Sequence, residues 1–82
     1  MKAPPLVVVT WNDAWSSQAG HDADEIENDH KPHVNYSAGF LVKADRVGVT
    51  IAGCYDVKSD APSYDRVLFV PRGMVKSVRK LK

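Results

Sequence analysis

Apolar and polar residues alternate through the middle of the chain, in residues 34–43 and again in residues 47–55. The alternating apolar residues are Val34, Tyr36, Ala38, Phe40 and Val42 in the first run, and Val47, Val49 and Ile51 in the second. A period of two with β-branched and aromatic residues is typical of a strand with one buried face. Because only Ala44–Arg46 separates the two runs, the pattern predicts a β-hairpin whose repeating faces are buried.

Two further apolar runs predict strands on either side of this hairpin. Leu6–Trp11 is continuously apolar and β-branched, which favours a strand that is buried on both faces or central in the sheet. Arg66–Val70 predicts a fourth strand, which Pro71–Gly73 ends because proline has no N–H to donate to a neighbouring strand.

Residues 74–81 have two possible structures. Val75, Val78 and Leu81 are spaced three apart, as in a helix. The short length and the β-branched residues favour a fifth strand with a cationic outer face.

Two polar segments separate the predicted strands. Residues 12–32 form a long excursion that is held by Trp11 and Trp15, with at most a short helix over Asp22–Asn28. Asp56–Asp65 is predicted to be a loop, because it contains the turn-forming residues Ser59, Asp60, Pro62 and Ser63.

The fold class that follows is all-β, a single domain over residues 1–82. Five short strands, with glycines at positions 39, 48 and 53 that suit bends, indicate a small closed or half-open barrel of the SH3 or Sm kind. An OB-fold is the nearest rival, but it usually places a helix between its third and fourth strands. Here that gap is rich in proline and serine.

Charge is balanced over the chain but uneven along it. The formal net charge is +1, so no global field directs the protein to nucleic acid or membrane. Residues 1–42 carry six acids and two bases, a net of −4, and residues 43–82 carry four acids and nine bases, a net of +5. This polarity suits two ordinary solvated surfaces, a basic face for an anionic ligand, or head-to-tail contact between subunits.

The single cysteine and the hydropathy pattern bear on where the protein is found. Cys54 has no internal disulfide partner, and we expect it to be buried among strand residues. There is no signal-peptide pattern and no apolar run of membrane-spanning length. We therefore expect a cytoplasmic protein without a membrane partner.

Three short segments together resemble a known group of proteins: Val9–Ala14, Gly39–Lys43 and Val70–Val75. The arrangement resembles short proteins of tailed phages and prophages that look like SH3/Sm-like β-barrels. The resemblance implies a small barrel and an accessory role in the cytoplasm of an infected or lysogenic bacterium. Some small oligomeric phage β-proteins sequester nucleotide signals of bacterial immunity, which makes ligand capture a hypothesis here.

Metal binding and catalysis find little support in the residue pattern. Carboxylates and imidazoles are concentrated in residues 21–33, but no spacing matches a known metal site, so we expect an acidic solvated loop and no cofactor. No nucleophile motif or glycine-rich phosphate loop occurs. The prediction is a binding protein rather than an enzyme.

The candidate ligand-binding residues combine aromatic rings with cations that can grip phosphate. They are Trp15, Tyr36, Arg66, Arg72 and Lys76. The predicted ligand is a nucleotide or short nucleic acid, bound by a homo-oligomer. Two structural readings stand beside this one, in which the tryptophans plug the barrel end and the cations protect an edge strand from aggregation.

An alternative function uses the acidic half of the chain. In that hypothesis the protein inhibits a host enzyme by presenting its acidic loop, with Asp24, Glu25 and Glu27, as a nucleic-acid mimic. Neutralising those acids would then abolish inhibition.

Overall fold

The computed structural model describes residues 3–16, 18–58 and 61–81, with the backbone alone at position 58, and contains one antiparallel sheet of five strands. The strands are β1 (Leu6–Asp13), β2 (His33–Ala44), β3 (Gly48–Lys58), β4 (Ala61–Pro71) and β5 (Val75–Lys80). A short helix, α1 (Ala23–Asp29), follows β1, and a 3-10 turn (Arg72–Met74) links β4 to β5. The predictions of a mostly β protein, of a short helix after β1 and of a final strand are confirmed.

The sheet is not closed into a barrel. Its strand order is β4-β3-β2-β1-β5, so β1 is an interior strand between β2 and β5, and β4 and β5 are the two edges. Of the predicted closed or half-open barrel, the closed form is therefore wrong. The physical reason is that the two edges do not pair with each other over the described residues: β5 pairs with β1 and β4 pairs with β3.

The core lies on one face of the sheet and is built mainly from valine and isoleucine. Val7 and Val9 of β1 are buried against Val49 and Ile51 of β3 and Val70 of β4. Partly buried residues surround this cluster, namely Trp11, Leu41, Leu68, Met74 and Val75. The predicted inward face of the second alternating run is confirmed at positions 49 and 51, whereas Cys54 is half-buried rather than buried.

The inward face of β2 is opposite to the one that the alternation predicts. Tyr36 is 74% exposed and Val34 is 42% exposed, while Gly39 is buried and Leu41 packs against the core. The prediction for this run is therefore wrong.

The bulk of β1 explains the inverted face of β2. Val7 and Val9 lie opposite Gly39 and Ser37, and the Trp11 indole N–H donates a 3.0 Å hydrogen bond to the Ser37 hydroxyl. The large side chains of β1 thus occupy the core side of this strand pair. The residues of β2 opposite them are small, and Val34 and Tyr36 face outward.

Two glycines sit where strands approach too closely for a side chain. A Cβ atom at Gly39 would be 2.6 Å from the Ala52 carbonyl oxygen, and one at Gly48 would be 2.5 Å from the Phe69 ring. Real Cβ contacts are longer than this, so both positions require glycine.

The predicted loop at Asp56–Asp65 is wrong over its described residues, because β3 continues to Lys58 and β4 begins at Ala61. Pro62 pairs with Val57, which is compatible with proline because β4 is an edge strand. Ser59 and Asp60 lie outside the described residues. We call residues 53–58 and 61–66 the β3–β4 arm, since the pairing of β3 with β2 ends at Ala52.

The arm makes the molecule long and thin. The principal extents are 57 × 24 × 22 Å, and the radius of gyration is 16.6 Å. A compact domain of this length has a radius of gyration of about 12 Å. The accessible surface is 6325 Å², whereas a compact monomer of this mass exposes about 4,900 Å². One copy therefore leaves much more surface in water than is usual.

Candidate functional site

A cleft of about 600 Å³ opens where the end of β1, the segment after α1 and the 3-10 turn meet. We call it the Trp15 cleft. Its walls are Asn12, Asp13, Ala14, Trp15, Asp29, His30, Lys31, Pro32, Gly73 and Met74. Small-molecule sites in proteins have volumes of about 300–1,000 Å³, so the cleft has the size of a ligand site.

The Trp15 ring is held in a fixed orientation at the edge of this cleft. Its indole N–H donates a 2.8 Å hydrogen bond to the carbonyl oxygen of Lys31. Its ring stacks on His33, with the ring centroids 5.4 Å apart and the planes 11° from parallel. Trp15 nevertheless remains 39% exposed. The sequence prediction that this residue holds the excursion after β1 is confirmed, and an aromatic surface still faces solvent.

Residues of both charge signs are part of the cleft wall. Asp13 and Asp29 are acidic, Lys31 is basic, and His30 carries an imidazole. Carboxylates accept hydrogen bonds from hydroxyl and amino groups, whereas lysine pairs with phosphate. Together with an exposed indole, this set can bind a molecule that has a flat ring, hydroxyl groups and a negative charge.

Arg72, the residue before Gly73 of the cleft wall, has a structural role. Its guanidinium donates two hydrogen bonds, of 3.0 and 2.6 Å, to the carbonyl oxygen of Asp45, and its backbone N–H donates to the carbonyl of Val47. These bonds tie the β2–β3 turn to the 3-10 turn. The guanidinium is therefore directed toward that turn, although Gly73 next to it lines the Trp15 cleft.

The Asp45 carboxylate organises the same turn. It accepts hydrogen bonds from the N–H groups of Val47, at 2.9 Å, and Gly48, at 3.3 Å. These two bonds lower the pKa of Asp45, and the nearby Lys43 and Arg72 charges lower it further.

Of the other three predicted ligand residues, Tyr36 and Lys76 lie on strands to either side of Thr10, and Arg66 lies apart from them in the arm. Tyr36 is on the outward face of β2 opposite Thr10, and Lys76 is an exposed residue beside the β1–β5 irregularity at Thr10 and Trp11. Arg66 lies in the arm with a φ of 56°, a left-handed conformation that is uncommon for residues other than glycine.

Of the five predicted residues, Trp15 alone lines the cleft, and Arg72 adjoins it in sequence. Sequence reasoning did not select Lys31 or Asp29 as ligand residues. Lys31 directly precedes Pro32 and Asp29 lies three residues before it; a proline disfavours helix at the residue before it, so Pro32 marks the end of α1 before β2 and was the available signal.

A basic edge is a second candidate surface. Lys76, Arg79 and Lys80 are exposed on β5, whose outer edge is unpaired in the sheet. The ion pairs found among the described residues, Lys43–Asp45 and His21–Glu25, do not involve them. These charges can therefore face either an anionic ligand or solvent.

The structure also bears on metal binding and on membrane spans. Within residues 3–16, 18–58 and 61–81, no three histidine, cysteine or acidic side chains are grouped closely enough to hold a metal ion. The helical segments of the same residues are all too short or too polar to traverse a lipid bilayer.

Comparisons with known proteins give no relative from which a role could be transferred. The chain matches no family model, no curated protein and no solved structure. Its function has to be argued from its own residues.

Proposed function

We propose that the protein is a non-enzymatic binding protein that captures a nucleotide, or the end of a short nucleic-acid strand, in the Trp15 cleft and acts as a homo-oligomer. The observation that carries this proposal is the cleft itself. It places an oriented, solvent-facing indole in a cleft of about 600 Å³ whose walls include acidic residues, a lysine and a histidine.

Each part of a nucleotide has a chemical counterpart in the cleft. The exposed part of the Trp15 ring suits stacking of a base, which tolerates any base because each has a π-face. Asp13 and Asp29 suit the ribose hydroxyls or base amino groups as hydrogen-bond acceptors. Lys31 and His30 suit the phosphate.

The excess surface supports the oligomeric part of the proposal. The chain exposes 6325 Å², which is roughly 1,400 Å² more than a compact monomer of its mass. A standard interface covers about 800 Å² on each partner. Association of two or more copies can therefore account for the excess.

The resemblance to phage proteins supports the biological setting. We propose a phage or prophage accessory protein that acts in the host cytoplasm, with a half-open version of the SH3/Sm-like barrel. The antiparallel order β4-β3-β2-β1-β5, with a 3-10 turn before the last strand, is compatible with such a barrel that has not closed.

Binding of AMP and of a short oligothymidylate tests the proposal, with isothermal titration calorimetry as the readout, because calorimetry also reports on a variant that lacks Trp15. Base stacking on an aromatic side chain contributes about 1–3 kcal/mol, so Trp15→Leu is expected to weaken binding at least about fivefold. Lys31→Ala is expected to weaken binding and to reduce its dependence on salt.

Lys43→Ala is the matched control for the loss of a lysine. Lys43 has 75% of its side chain exposed, pairs with Asp45, and does not line the cleft. Equal effects of the two lysine variants, or no saturable binding of either probe by the unaltered protein, would refute the cleft as a nucleotide site.

A second candidate function rests on α1. This helix has no buried residue, exposes 55% of Ile26, and carries four acids, Asp24, Glu25, Glu27 and Asp29. An exposed apolar side chain surrounded by acids suits a basic protein surface. As the alternative, we propose that α1 is the part of the acidic loop through which the protein inhibits a host enzyme.

Neutralisation of the helix separates the two functions. The variant Asp24→Asn/Glu25→Gln/Glu27→Gln is expected to lose capture of a basic host protein if α1 carries function, while AMP binding stays within about twofold. Retention of the host protein by this variant, with unchanged AMP binding, would instead favour the cleft.

A further inference from the structure

We propose that the apolar face of the β3–β4 arm packs against the same face of a second copy of the chain, forming a two-fold symmetric dimer. The proposal deepens the self-association suggested above and rests on it. It adds the surface, the symmetry and the residues of the contact.

The arm has one apolar and one polar face. Tyr55 pairs with Tyr64 and Val57 pairs with Pro62, so these four side chains project to one side of the ribbon. The rings of Tyr55 and Tyr64 lie on the same side of the ribbon, since their centroids are 5.4 Å apart. The other face carries Cys54, Asp56, Ser63 and Asp65.

The apolar face of the arm extends past the part of the sheet that packs on the core. Pairing of β3 with β2 ends at Ala52, and the arm continues for about 20 Å at strand spacing. Phe40 contacts Tyr55 at the base of the arm, with ring centroids 5.7 Å apart. Further along, Val57 is 43% exposed and Pro62 is exposed.

A two-stranded ribbon needs a partner to be stable. Isolated hairpins are marginal in water, and a third element on the apolar face is normally required. No other element of the described chain pairs with β3 beyond Ala52 except β4. The arm thus lacks a third element within its own chain.

A second copy of the arm fits this face better than a partner with a charged surface does. The outer part of this face, formed by Tyr55, Val57, Pro62 and Tyr64, carries no acid or base apart from the tyrosine hydroxyls. Arg66 lies at the base of the arm with its side chain beside Gly53, so two copies that meet at the outer part bring no like charges into contact there. The polar faces carry Asp56 and Asp65 and would repel each other. A surface that is complementary to itself forms a two-fold symmetric contact, and that contact joins two copies and no more.

The available area agrees with a dimer. The excess of roughly 1,400 Å² over a compact monomer is more than the about 800 Å² that each partner contributes to a standard interface. The chain is 57 Å long, and the arm extends about 20 Å beyond the last β2–β3 pair.

Two lysine substitutions on opposite faces of the arm test the proposal. Val57→Lys places a charge on the apolar face, whereas Ser63→Lys places the same charge on the polar face opposite Asp56. Sedimentation equilibrium of the full chain is expected to show a dimer that Val57→Lys weakens at least about tenfold. Ser63→Lys is expected to change dimerisation by less than about twofold.

Folding is followed separately, because a charged substitution can disturb the arm. Fluorescence of Trp11 and Trp15 reports the body of the protein, which lies outside the arm, and Val57→Ala removes apolar surface without adding a charge. Val57→Ala is expected to weaken the dimer in the same direction with unchanged tryptophan fluorescence.

The outcomes are distinguishable. An unaltered chain that stays monomeric at all concentrations refutes self-association and this inference together. A dimer that tolerates Val57→Lys, or that Ser63→Lys weakens equally, refutes the arm contact alone. AMP binding by a monomeric Val57→Lys protein would show that the cleft works independently of the arm.

Discussion

Gly39 shows how a single atom determines the approach of two strands. A Cβ atom there would lie 2.6 Å from the Ala52 carbonyl oxygen, which belongs to the backbone and cannot move aside as a side chain can. Gly39→Ala is expected to lower the free energy of unfolding by about 1–3 kcal/mol, because β2 and β3 must separate. Urea denaturation measures the change.

Gly20→Ala is the control for the loss of a glycine. No atom lies within 4 Å of a Cβ at Gly20, so the free energy of unfolding should change by less than about 0.5 kcal/mol. A Gly39→Ala protein as stable as Gly20→Ala would contradict the close approach of the strands.

Asp45 gives the protein a predictable response to acid. Its pKa is lowered below the ordinary value of 3.8, chiefly by the N–H groups of Val47 and Gly48. A carboxylate with a lowered pKa stabilises the fold above its ordinary value, and that stabilisation is lost as the pH falls through the lowered pKa. Asp45→Asn should therefore show a smaller loss of stability on acidification.

Urea midpoints at about pH 6 and about pH 3 measure this difference. Asp24→Asn, on the exposed α1 helix, is the control for the removal of one acid. If Asp45→Asn and the unaltered protein lose the same stability between these pH values, the turn does not depend on the carboxylate charge.

At the scale of single elements, α1 is held by side-chain contacts at its start rather than by burial. The Asp22 carboxylate accepts a 2.9 Å hydrogen bond from the Glu25 N–H, His21 contacts the Glu25 carboxylate at 3.2 Å, and the seven-residue helix has no buried residue. Removal of such a cap costs about 1 kcal/mol. Asp22→Ala should therefore speed hydrogen exchange of the Glu25 amide by about fivefold.

Glu27→Ala provides the comparison, since Glu27 lies within the helix and does not cap it. The Val9 amide in the interior strand β1 should exchange at the same rate in both variants. An unchanged Glu25 amide in Asp22→Ala would mean that the helix is held by something other than its cap.

The strands show what the sequence could and could not predict. The period of two identifies β2 and β3 because it is a local property of the chain. The inward face of β2 is not local, since it depends on Val7 and Val9 of β1 lying opposite Gly39 and Ser37. The sequence predicts a loop in place of the arm for a similar reason. Asp56 and Ser63 favour turns in isolation, but the pairing of β3 with β4 overrides that preference.

The candidate site was predictable only in part. Trp15 could be selected from its residue type and its position after a strand. The remaining walls of the cleft come from separate segments, residues 29–32 and 73–74, which meet only when the sheet has formed. No spacing rule along the chain indicates such a meeting.

Over the whole molecule, the elongated shape leads to a prediction about heat stability. If copies associate through the arm, the folded form is stabilised by mass action and the Tm should rise with protein concentration. Differential scanning fluorimetry between about 1 and 100 μM should show that rise for the unaltered chain. Val57→Lys should show a Tm that does not depend on concentration.

The neighbouring positions of β1 and β5 have a consequence for synthesis. β1 pairs on one side with the last of the five strands to be made, and Leu81 donates a 2.8 Å hydrogen bond to the Leu6 carbonyl. At about 5–20 residues per second, the ribosome needs several seconds to produce β5 after β1. During that interval the valine-rich first strand has an open flank, so newly made chains are vulnerable to aggregation until translation of the fifth strand is complete.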